Sequence, residues 1–255
     1  MTSNPPFFMA KRSFSLPPVG AELPDDGNPW RTLIEQTYGV LRNDIIEGRL
    51  PPGSKLRIEH LRVQYQVGAG TLREAITRLA SDALVTTEGQ RGFRVAPIAL
   101  EELEDLTRLR VHIEIEGLRQ SIRHGDAIWR EALRQSYEAL SVFEQPLLPE
   151  HRHQWEALNI RFHDALLAGQ FSPWTQKILR ILSRHGERYR RYAMGLPGSV
   201  RNVHAEHTEI FELAFAGHEI RAALALEAHI RTTPDLLTQA LRSGRLTLPT
   251  GEGIA

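Results

Sequence analysis

The order of short patterns between Arg31 and Ile98 constrains this chain more than any other feature. Ile34, Tyr38, Leu41 and Ile45 recur at i, i+4, i+7 and i+11, the spacing of one helical face. Gly48 follows that helix, and the run LPPGSKL turns the chain. A second short helix fits Ile58 to Tyr65, with Ile58, Leu61 and Val67 as inward candidates. A third lies in VGAGTLREAITRLASDALV, Val67 to Val85, where Leu72, Ile76 and Leu79, flanked by Ala75 and Ala83, form the apolar stripe. The runs LVTT and FRVA then read as two short strands joined through Gly89, Gln90, Arg91 and Gly92. Three helices followed by a hairpin is the order of a winged helix-turn-helix, predicted here for residues 30–98.

Beyond Pro97 the pattern is almost wholly helical, with breaks at Gly125-Asp126, Gln145–Pro149, Gly169–Pro173, Gly195–Gly198 and Gly217. They delimit helices over 99–124, 127–144, 150–168, 174–194, 199–216 and 218–242, which predicts an all-α bundle of six to seven helices over 99–242. The expected fold class is therefore mainly α. Residues 1–29 carry six prolines and few apolar anchors, and read as a disordered tail; 243–255 read as another. No apolar run approaches the length of a membrane span, and the first residues lack a basic start with an apolar core, so neither a membrane partner nor secretion is expected. With no cysteine among 255 residues, disulfide and thiolate chemistry are excluded, and a cytoplasmic location is expected.

The formal net charge is zero, but Arg31 to Ile98 holds ten Lys+Arg against seven Asp+Glu. That basic segment contains a helix opening on Gly68, Ala69 and Gly70, where backbone amides and the positive helix end can approach phosphate. Thr71 offers a hydroxyl, and Arg73 can hold a phosphate or grip a guanine edge with two hydrogen bonds. Glu74, Thr77 and Arg78 share that face; Lys55 and Arg57 lie near the start of the second helix, and Arg91 beside Gly92 would reach toward the minor groove. Double-stranded operator DNA is the expected partner, against the blander reading of a solvated basic face.

The stretch LRIEHLRVQYQVGAGTLREAITRLASDALVTTEGQRGFRVAPI resembles the winged-helix domain of GntR-type bacterial transcription regulators. Val67 stands at that family's valine, Gly68 to Thr71 replace its Ser-Arg-Thr-Pro, and Leu72, Arg73, Glu74 and Ala75 match. The helical remainder resembles the FCD effector domain of the FadR subfamily, so the likeness covers about 30–242. It implies a homodimeric transcription regulator, a repressor by expectation, reading two half-sites about 34–36 Å apart. Two departures stand out: Ala69 replaces an arginine that often reads guanine, and Glu59 stands where relatives are often basic. Arg57, Arg73 and Arg91 would then carry more of the recognition, at a different operator.

Eleven histidines is a high count. Asn159 and His163 share a helical face, His207 sits on an inward stripe with Ile210 and Phe211, and His229 has apolar neighbours in the last helix. Three imidazoles and an amide oxygen would suit a divalent metal such as zinc or nickel, although most helical histidines are ordinary surface or core residues. The FCD resemblance implies an aspartate and three histidines as metal ligands, and assigns those places to Asn159, His163, His207 and His229. It also places Arg110 at a ligand cavity, where, with Glu114, it would serve a small organic acid effector through bidentate hydrogen bonds. On spacing alone Arg110 and Glu114 could equally be an exposed i, i+4 pair. The rival reading, a metal-dependent hydrolase with an accessory nucleic-acid-binding domain, rests on HAEH; its histidines are three apart, not four, and the glutamate is misplaced for a general base. No enzyme activity is expected.

Overall fold

The computed structural model describes residues 32–87, 92–145, 147–148, 151–169, 172–194, 201–244 and 246. These fall into two compact units that divide between Ala96 and Pro97.

The first unit is built on α1 (Leu33–Ile46), α2 (Ile58–Tyr65) and α3 (Ala69–Ser81). Thr32 starts α1 with a capping box: its hydroxyl accepts the Glu35 N–H at 3.2 Å, and the Glu35 carboxylate accepts the Thr32 N–H at 3.0 Å. Leu41, Ile45, Leu72, Ile76 and Leu79 from α1 and α3 fill one core with Tyr65 of α2. Beneath it the buried carboxylate of Asp44 accepts from the Tyr65 hydroxyl and from Arg49 Nε, the latter at 2.6 Å. Strands β1 (Lys55–Leu56), β2 (Val85–Thr87) and β3 (Phe93–Val95) form an antiparallel sheet in the order β1-β3-β2, with Lys55 opposite Arg94 and Val85 opposite Val95.

Two expectations are corrected here. The hairpin of two strands is a three-stranded sheet, because Lys55 and Leu56, expected within the turn LPPGSKL, form β1 and pair with β3. A two-residue strand is too short to leave an alternation in the sequence. Ala83 is not part of the buried stripe: α3 ends at Ser81, and Ala83 is exposed with φ +55°. That left-handed residue reverses the chain so that the Leu84 N–H reaches the Leu79 carbonyl at 2.9 Å.

The second unit packs six helices: α4 (Leu100–His124), α5 (Ala127–Ser141), α6 (Arg152–Leu166), α7 (Pro173–Met194), α8 (Val203–Phe215) and α9 (Glu219–Arg242). Asp126 caps α5 by accepting the Trp129 N–H at 2.8 Å, and Asn202 caps α8 by accepting the Ala205 N–H at 3.0 Å. Leu118, Leu133, Leu140, Phe162, Leu166, Ile210 and Leu226 pack into the main core, with Leu179 of α7 against its edge. The long helices α4 and α9 lie against each other, with α7 and α8 on both. Pro234 sits inside α9, buried, where its missing N–H cannot bond the Ile230 carbonyl. Among the described residues no helix is long and apolar enough to cross a membrane.

Candidate functional sites

The exposed face of α3 is shaped in a way its own fold does not require. Leu72, Ala75, Ile76 and Leu79 face the core, leaving Gly70, Arg73, Glu74, Thr77 and Arg78 outward. Gly68 is the N-cap with φ −66° and ψ 152°, a conformation any residue adopts. A Cβ placed on Gly68 or Gly70 would meet nothing within 4 Å. Glycine in a helix costs up to about 1 kcal/mol relative to alanine, so nothing internal favours Gly70. Ala69 and Thr71 are half-buried beside them.

The arginines of this unit divide into two kinds. Arg73, and Arg57 at the N-cap of α2, are exposed, and their side chains have no hydrogen-bond or ion-pair partner among the described residues. Arg78 instead lies over the Tyr38 ring, 5.2 Å from its centroid. Glu59 pairs with Arg62 at 3.0 Å. Arg91 lies outside the described residues; Gly92 takes φ +96°, a conformation that favours glycine.

The second site is inside the helical unit. One nitrogen each from His163 of α6, His207 of α8 and His229 of α9 lie within 4.8 Å of one another. That is close to the span of nitrogens sharing one ion at roughly 2.0–2.1 Å each. The rings are oriented from outside. His207 Nδ1 donates to Glu144 Oε1 at 2.8 Å, and His229 Nδ1 donates to Glu206 Oε2 at 2.8 Å. His207 Nε2 is then left buried with no hydrogen-bond partner, facing the other two rings. An orphaned imidazole nitrogen beside two more is the donor set of a divalent metal, and the residues fit one.

Electrostatics keep this set ready. Burial first, then the neighbouring histidines and the guanidinium groups of Arg110 and Arg190, hold His163 well below the usual imidazole range; Arg201 adds to the same effect on His229. Both rings therefore stay neutral, the form that ligates. Burial would raise the Glu144 carboxyl, but hydrogen bonds from His207, Trp155 and His204 hold it below its ordinary value.

His163 and His229 open onto a cavity of about 250 Å³, which Asn159 and Arg110 also line. Asn159 is only 3% exposed, one turn before His163 on α6. Arg110 and Glu114 do form the i, i+4 pair, at 2.7 Å, but buried rather than on a solvent face. Three further arginines line the cavity: Arg152, Arg190 and Arg201. Arg190 is paired with buried Glu156, and Arg201 with Glu206 at 2.6 Å. No lining residue among those described is a carboxylate.

Sequence reasoning did not reach Glu144, Glu206, Arg152, Arg190 or Arg201. Glu144 lies 63 residues from His207, and such pairings carry no periodic signal. The one available hint was Glu206 beside His207 in HAEH; its carboxylate serves His229 instead.

Comparison with known proteins bears on both sites. Residues 33–95 match the family described as bacterial regulatory proteins, gntR family, and residues 105–232 match the FCD domain. Over 212 residues the chain is 42% identical to the HTH-type transcriptional regulator BphR of Paraburkholderia xenovorans strain LB400, covering 82% of this chain and 86% of that one. It is 29% identical over 209 residues to the HTH-type transcriptional repressor GlaR of Escherichia coli K12, covering 80% and 95%. The crystal structure of a GntR-type regulator from Rhodococcus sp. RHA1 superposes with TM-score 0.66 at 21% identity, covering 81% of this chain and 98% of that one, a likeness of fold.

Proposed function

Because the chain belongs to the GntR family of bacterial transcription regulators and carries an FCD domain, we propose that it is a cytoplasmic, homodimeric repressor whose hold on its operator is set by a small carboxylate bound beside a divalent metal. In this reading α3 enters the major groove. Gly68 and Gly70 let its amide-rich first turn approach a phosphate, Arg73 contacts a base edge or phosphate, and Arg57 reaches the backbone. Thr71, Ala69 and Gly92 shape the same surface, and Arg78, held over Tyr38, adds charge to it.

His163, His207, His229 and Asn159 would hold the ion, zinc or nickel by donor type. When bound, such an ion supplies a Lewis-acidic point for a carboxylate oxygen. Arg110, fixed by Glu114, would bind and orient the acid from the adjoining wall. The observation that carries this reading is a cavity lined by four arginines and two neutral imidazoles without a single carboxylate among the described lining residues. It also speaks against the hydrolase alternative, since Glu206 is engaged by Arg201 and His229 and no lining carboxylate is placed to serve as a base.

Control of DNA binding requires the acid to favour one arrangement of the dimer, with a coupling of typically about 1–3 kcal/mol. Titration of the operator with metal-loaded protein, with and without small carboxylates, tests this. Binding that no acid alters removes the switch.

A further inference from the structure

α6 lines the cavity along much of its length. Arg152, Asn159 and His163 line it from one helix face, seven and four residues apart. At 1.5 Å per residue, the backbone of Arg152 lies about 10 Å along the axis from that of Asn159. α9 supplies a second wall through His229, Thr233 and Leu236, again over about 10 Å. Leu148 and Leu147 flank the Arg152 end, joined to the start of α6 by the His151 N–H to the Leu148 carbonyl at 3.0 Å. Between the ends the walls include Trp155, Val203 and Ile230.

Neither end of this cavity is lined by a carboxylate among the described residues; Glu144 and Glu206 stand behind His207 and His229 as hydrogen-bond acceptors. At the histidine end, three imidazoles and the Asn159 amide offer an ion no anionic ligand, and the Asn159 side chain has no hydrogen-bond partner among the described residues. At the other end stands Arg152. Arg110, Arg190 and Arg201 are each neutralised by their own glutamate, Glu114, Glu156 and Glu206. Arg152 is half-buried and has no ion pair or hydrogen bond among the described residues. A monocarboxylate at the histidine end would leave that guanidinium unanswered.

We infer that the effector is a dianionic organic acid, with anionic groups at both ends of a short apolar carbon skeleton, one meeting the Asn159–histidine end and the other taken by Arg152. The inference rests on the carboxylate-sensing reading above and adds the second anion to it. With the neutral Asn159 amide and three imidazoles as donors, the anionic ligand to an ion there would come from the effector.

The experiment uses full-length, zinc-loaded protein and calorimetric titration with straight-chain α,ω-dicarboxylates, each compared with the monocarboxylate of the same carbon number. At least one dicarboxylate is expected to bind on the order of tenfold tighter than its monocarboxylate counterpart, the scale of one charge-assisted hydrogen-bonded contact. R152Q is expected to reduce that ratio to within about twofold, and R152K, which keeps the charge but not the fork, to retain part of it. The thermal midpoint of each variant without acid reports whether it folds. Equal binding of both acid classes, or a ratio that R152Q leaves intact, overturns the second anion while the carboxylate reading stands. Failure of every acid to bind overturns both.

Discussion

The outer face of α3 and the cavity of the helical unit are both rich in arginine, yet they hold it differently. On α3 and the start of α2, the Arg73 and Arg57 side chains make no hydrogen bond or ion pair among the described residues, and Gly68 and Gly70 leave open space. Around the cavity Arg110, Arg190 and Arg201 are each fixed by a glutamate, His207 is fixed by Glu144, and His229 shares Glu206 with Arg201. The first arrangement suits a large polyanion that supplies the missing partners itself, with little strain on the free protein. The second is preorganised, so a small ligand meets donors whose positions are already fixed and loses less on ordering them.

The largest effect expected is on the cavity. His163→Ala and His229→Ala should each abolish metal co-purification, read by elemental analysis, while leaving operator affinity without acid near that of the parent. Loss of DNA binding together with metal would erase the division between the two regions. Arg73→Ala should lower operator affinity about tenfold to a hundredfold, from a base contact of roughly 1–3 kcal/mol, without moving the thermal midpoint. Unchanged affinity in a fluorescence-anisotropy titration would remove Arg73 from the interface.

Acid should affect the two regions unequally. Burial holds His163 and His229 well below the ordinary imidazole value, so below about pH 6.5 the unfolded chain takes up protons that the folded one refuses. Stability of the metal-free helical unit is then full above that pH and falls as pH drops below it, by at most about 1.4 kcal/mol per pH unit for each histidine. Thermal unfolding of metal-stripped protein between about pH 7.5 and 5.5 reads this out. A midpoint that rises on acidification contradicts the burial of neutral rings.

What was legible in the sequence follows the range of the interactions. Local periodicity located α2 at Ile58–Tyr65 and the six helices beyond Pro97 within a few residues, because helical stripes repeat inside one window. The same reasoning carried Ala83 into a stripe that had already ended, and missed the two-residue β1. His163, His207 and His229 were singled out by their neighbours and by family likeness. Their orienting carboxylates were not, since Glu144 and Glu206 meet them across 63 and 23 residues. The asymmetry between the arginines was equally hidden: Arg152 and Arg190 look alike as residues, and only packing shows that Glu156 answers one of them.

The smallest effect tests the α3 side of the comparison most directly. Gly70 lies in the first turn of α3 with open space where its Cβ would be, so Gly70→Ala should stabilise the free protein by some tenths up to about 1 kcal/mol. A larger first turn should also hold the helix away from a phosphate, so the same substitution should weaken operator binding. The two signs are opposed, which separates this account from a general defect in folding. If thermal unfolding shows the gain and operator titration shows no loss, the glycines at the head of α3 are not there for close approach, and its phosphate contacts must come from the arginines alone.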